Sequence, residues 1–166
     1  MKKAVLIAAL TAVVAAIVVV APASAGSPNG QTVTITQHVH GSFYEPNATN
    51  PCNGDTFNNG QGALFNGNLL NHVTFFTASD EGWGTFTETG SVTATDDGTG
   101  VSYSGRATAW GNFNQNERNA NTSFTLTLHL TGSDGSSITA HQNTTMVLNA
   151  NGQETVNFAN MSLTCG

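Results

Sequence analysis

From Thr32 onward the apolar residues recur at every second position, and the places between them are filled largely by threonine, serine and asparagine. Val33, Ile35 and Val39 alternate with Thr32, Thr34, Thr36, His38 and His40; Phe124, Leu126, Leu128 and Leu130 alternate with Ser123, Thr125, Thr127 and His129. In an extended chain successive side chains point to opposite faces, so a period of two makes ribbons that are apolar on one side only. Threonine, branched at Cβ, favours the same conformation. Asp96-Asp97-Gly98, Ser133-Asp134-Gly135-Ser136 and Asn149-Ala150-Asn151-Gly152 punctuate the runs as turns. The pattern predicts strands at 31–39, 42–48, 61–77 with a bend near Gly67, 82–95, 99–110, 121–131, 136–148 and 153–163. Eight strands joined by short turns predict an all-β fold, an eight-stranded antiparallel up-and-down β-barrel that leaves no free edge; a β-sandwich is the alternative.

Ahead of this region stand Met1-Lys2-Lys3, an apolar, alanine-rich run from Ala4 to Val20, and Ala21-Pro22-Ala23-Ser24-Ala25. A charged start, a short apolar stretch and small residues at an A-x-A site form an export signal, so residues 1–25 are expected to be removed and residues 26–166 to form one domain. Such a product is secreted and extracellular, with no integral membrane segment. Loss of Lys2 and Lys3 leaves two arginines, Arg106 and Arg118, against ten acidic residues, and moves the formal charge from −6 to −8. A surface of that sign repels nucleic acid.

Two cysteines remain, Cys52 and Cys165. In an oxidising compartment a mutual disulfide is expected. Strand parity agrees, because six predicted strands separate the two and an even number returns a meander to the end it left. The 131–137 hairpin can be read to the residue. A two-residue turn would set Leu128 opposite His141, whereas a three-residue turn with Gly135 left-handed sets Leu130 opposite Ile138 and Leu128 opposite Ala140, apolar against apolar.

Asn50-Pro51-Cys52-Asn53-Gly54, Gly132-Ser133-Asp134-Gly135-Ser136 with His141 following, Asn149 to Gly152, and Leu163-Thr164-Cys165-Gly166 together resemble a group of small secreted actinobacterial proteins. The resemblance implies a barrel of the allene oxide cyclase or dirigent type. It carries no catalytic residue onto any position here.

Four sets of residues are candidates for chemistry. His38 and His40, two apart on a strand, share a face and could hold one divalent metal if Glu45, His72, His129 or His141 converged on them; solvated histidines on a threonine-rich face are the plainer reading, and no cofactor is expected. His129 and His141 form a second, diagonal pair. The polar tract 111–121, read as the longest connection, brings Asn112, Asn114, Glu117 and Arg118 near the rings of Trp110 and Phe113, a combination of amides and aromatic surface suited to a saccharide. Among Glu45, Glu88 and Glu117, a carboxylate pair would serve acid–base work, and Glu88 shares the parity of Phe86, Val92 and Ala94; it faces inward unless a bulge near Gly90 turns it out.

No nucleophile motif, phosphate loop or zinc-type cysteine spacing occurs. The function expected is non-catalytic binding of a small apolar ligand, a saccharide or a protein partner. An enzyme at the barrel mouth, of cyclase, isomerase or hydrolase type, and a structural cell-surface protein are the competing classes.

Overall fold

The computed structural model describes residues 31–46, 48–76, 81–116, 119–151 and 153–166. The expected export signal lies outside the described residues, as do Glu117 and Arg118. Seven strands, rather than the eight expected, are found among the described residues: β1 (Thr32–Glu45), β2 (Ala63–Phe76), β3 (Gly82–Thr95), β4 (Ser102–Gln115), β5 (Asn119–Gly132), β6 (Ser137–Asn149) and β7 (Glu154–Cys165), with no helix. They form one antiparallel meander in chain order.

The missing strand is a merger. The expected break near 40–42 does not occur, because Gly41 pairs with Gly67 and the β1–β2 ladder runs unbroken from Thr32↔Phe76 to Glu45↔Ala63. In an antiparallel meander an odd count makes the first and last strands run the same way, so β1 and β7 could meet only as a parallel pair. No ladder joins them, and the sheet is not closed.

The sheet nevertheless curls around its apolar face. Phe43 of β1, Phe65 of β2, Val92 of β3, Ala107 of β4, Leu126 and Leu130 of β5 and Ile138 of β6 all border one internal cavity. Glycines on the inner face permit the bend. Gly67 and Gly90 lie directly opposite each other, and a β-carbon on either would run into both the facing strand's backbone and the Phe65 ring, whose Cζ would lie 2.6 Å away. Phe65 therefore lies across a floor that only glycine leaves free, and it packs against Phe43 with ring centroids 5.1 Å apart.

Residues 46–62 fold over the end of the curl where β1 finishes, burying Ala48 and Phe57 in the core. Two acidic residues of the β3–β4 turn hold this connection. Asp96, fully buried, accepts hydrogen bonds from Asn50 Nδ2 at 2.6 Å, Asn53 Nδ2 at 3.0 Å, the backbone N–H groups of Gly98 and Thr99, and Thr99 Oγ1. Asp97 accepts from Thr56 Oγ1 and from the N–H groups of Asn59 and Gly60. The disulfide joins Cys52, within this connection, to Cys165 at the end of β7, with Cα atoms 6.0 Å apart. Six strands separate them, as the parity reading required.

The 131–137 hairpin has the expected register, Leu130↔Ile138 and Leu128↔Ala140. Gly135 is left-handed at φ 88°.

Two stability effects follow. Replacing both cysteines by serine frees a closed loop spanning 113 residues and is expected to cost about 4 to 5 kcal/mol in denaturant unfolding. Asp96→Asn is expected to cost about 2 kcal/mol near neutral pH, since a charged acceptor for five donors is lost. The hydrogen bonds hold the Asp96 carboxyl down at about 2 against the cost of its burial. Its stabilisation is present above the ordinary aspartate value, 3.8, and is lost as pH falls through about 2. The variant and the parent should therefore converge in urea midpoint at the acid end of that window.

Candidate functional site

On the inner face, strand parity puts the odd-numbered residues of β1 and β2 and the even-numbered residues of β3 into the curl. Most of these positions are apolar or glycine. Glu45 and Glu88 are carboxyls, both buried, at 5% and 6% exposure. Glu88 follows the regular alternation of β3, since Gly90 pairs in register with both Gly67 and Ala107, and no bulge turns it outward. Glu45 closes β1, with Pro46 after it.

The two acids border the same two voids. One, about 60 Å³, is enclosed and apolar, walled by Phe65, Leu126, Leu128 and Ile138 and roofed by Ala48, Pro51 and Phe57 of the 46–62 connection. The other is an open groove of about 340 Å³ along β1 and β2, walled by Gln37, Val39, Phe43, Leu69 and Asn71. Val39 points inward and is still 42% exposed, so the groove opens where β1 has no outer neighbour. Its volume lies within the range of small-molecule sites, roughly 300 to 1,000 Å³.

Neither acid has a countercharge or a side-chain hydrogen-bond partner among the described residues, and Glu45 Oε2 is a buried oxygen with no partner. Asn71 Oδ1, also buried and unpartnered, faces the same groove. Burial pushes the Glu88 carboxyl up to about 7. At Glu45 burial does the same, and the charge of Glu88 adds to it, again giving about 7. A pair of this kind holds a proton at neutral pH, so that one oxygen can donate while others accept.

The histidine candidates lie on the outer face. His38 and His40 point outward on β1, and His40 Nδ1 hydrogen-bonds Asn68 Oδ1 at 3.2 Å. No group of three or more His, Cys, Asp or Glu side chains among the described residues is placed to hold a metal ion. His72 bonds Thr36, His129 bonds Thr139, and His141 bonds Asn143.

The reading of 111–121 as a long connection is corrected: β4 runs to Gln115 and β5 starts at Asn119, so Asn112, Phe113 and Asn114 are strand residues. The alternation simply continues with asparagine as the outer residue, and Asn116 N–H donates to Asn119 O at 2.9 Å. Asn112 and Asn114 line an open cleft together with Trp83, and Phe113 borders it from the inner side. Trp110 faces outward from β4 between Thr87 and Thr125 and does not line that cleft.

Sequence reasoning left Glu45 and Trp83 in the background. Glu45 has the parity of Val33, Ile35 and Val39, a signal concealed by the assumed break in β1. No protein-family model, curated protein or solved structure matches the chain.

Because the folded state holds protons on Glu45 and Glu88 that the unfolded chain releases near 4.5, the pair lowers stability as pH rises from about 4.5 to about 7. Glu88→Gln removes one buried charge and relieves Glu45. Its melting temperature should exceed the parent's at about pH 8 and match it at about pH 4, by differential scanning calorimetry.

Proposed function

We propose that the protein is an extracellular binding module whose interior takes a small, largely apolar molecule carrying a protonated amine or comparable hydrogen-bond donor. On this reading the curled sheet acts as an incompletely closed barrel, entered between β1 and β7 and capped at one end by the 46–62 connection. The carrying observation is the buried, unpartnered Glu45 Oε2 beside a second buried carboxyl in a groove of about 340 Å³. Uncompensated buried charge is expensive, and a cationic head supplies what the chain omits. The apolar walls match the rest of such a ligand. The expected export signal and the disulfide support release from the cell.

The test compares octylamine with octanoate by isothermal titration calorimetry at neutral pH. Octylamine should bind at least about tenfold more tightly, a difference of about 1.4 kcal/mol, and Glu45→Gln and Glu88→Gln should each erode the preference. Equal affinities, or a preference untouched by both substitutions, would refute it. Native mass spectrometry of protein from its own culture medium would then identify the natural ligand.

A second reading is favoured by the same two carboxyls, each raised to about 7: one donates and the other accepts a proton, as an isomerase or cyclase requires. Incubating the identified ligand with the protein and following its proton spectrum distinguishes turnover from storage.

A further inference from the structure

We propose a second binding site, for a neutral saccharide, in the outer-face cleft near the end of the sheet opposite the disulfide. It stands independently of the interior ligand. The cleft has a volume of about 980 Å³ and is built from two neighbouring cross-strand rows. One row sets Trp83 of β3 opposite Asn114 of β4, and Asn114 opposite Asn121 of β5; the next sets Thr85 opposite Asn112.

Trp83 is 46% exposed, which for an indole leaves an apolar face open to solvent. Such a face suits the C–H side of a pyranose ring. Three of the amides around it are uncommitted. Asn112 and Asn114 make no side-chain hydrogen bond to another described residue, and Asn121 Oδ1 is buried without a partner. Each amide offers both donor and acceptor, the pairing that vicinal hydroxyls reciprocate.

Several polar groups elsewhere on this face are engaged with one another: Thr89 with Thr108, Thr125 with Asn143, His129 with Thr139. Three amides without such engagement, Asn112, Asn114 and Asn121 Oδ1, line the same cleft as the exposed indole. Among the described lining residues Glu81 is the one carboxylate, and none is a lysine or arginine. The Glu81 carboxylate disfavours an anionic sugar there.

The test uses cellohexaose, chitohexaose, laminarihexaose and mannohexaose. The chain has two tryptophans, so Trp110→Phe leaves Trp83 as the sole indole reporter. At least one of the four should change its emission saturably at up to about millimolar concentration, and calorimetry on the parent should give the same affinity. Trp83→Ala should weaken that binding about tenfold or more, and Asn114→Ala about fivefold. Glu88→Gln should leave it unchanged, which separates this site from the interior. Failure of all four sugars, or full affinity in both Trp83→Ala and Asn114→Ala, would overturn the proposal.

Discussion

An odd number of strands among the described residues, seven, governs this fold. Because β1 and β7 run the same way, the meander cannot close with the antiparallel pairing used everywhere else in the sheet, and its curl has to be held by other means. Inner-face glycines such as Gly67 and Gly90 supply the bend. The 46–62 connection fills one end, and Asp96 with the Cys52–Cys165 bridge fastens that filling to the β3–β4 turn and to the tip of β7. An apolar interior open along one side is the direct result. That opening exposes Val39 and gives the groove its mouth.

Acidic groups are treated in opposite ways at the two places where they are buried. Asp96 is surrounded by donors, so its charge is kept and its carboxyl is held low. Glu45 and Glu88 receive no such partners and are pushed up by burial. The first arrangement is what a structural carboxylate needs. The second costs stability as pH rises, and a folding requirement offers no reason to keep it, since two aliphatic side chains would pack there without a charge to desolvate. On the proposed reading the pair is where stability is given up for ligand binding.

Much of the framework was legible because burial on one face imposes a strict period of two. The inward orientation of Glu88, the register of the 131–137 hairpin and the even strand count between the cysteines all follow from parity. What misled the reading was local composition. His38 to Ser42 suggests a break because glycine and polar residues cluster there, yet His38, His40 and Ser42 lie on an edge strand's outer face and Gly41 pairs with Gly67 on the inner one. The asparagine tract after Trp110 suggested a loop for the same reason, which moved Asn112 and Asn114 off their strand and left Trp83, on the neighbouring strand, unnoticed. Asp96 read as a turn residue, and nothing in its neighbourhood reveals that Asn50 and Asn53, more than forty positions earlier, converge on it. Contacts of that range are set by the tertiary fold.

The two proposed sites differ in chemistry and place, carboxyls in an apolar groove and amides beside an indole. The carboxyl pair is central to the proposed function. Its most direct measurement is a carbon-13 NMR titration of the side-chain carboxyls of Glu45 and Glu88 in the ligand-free protein. Midpoints near 7 for the pair are predicted; both carboxyls titrating at the ordinary glutamate value, about 4.5, would contradict it.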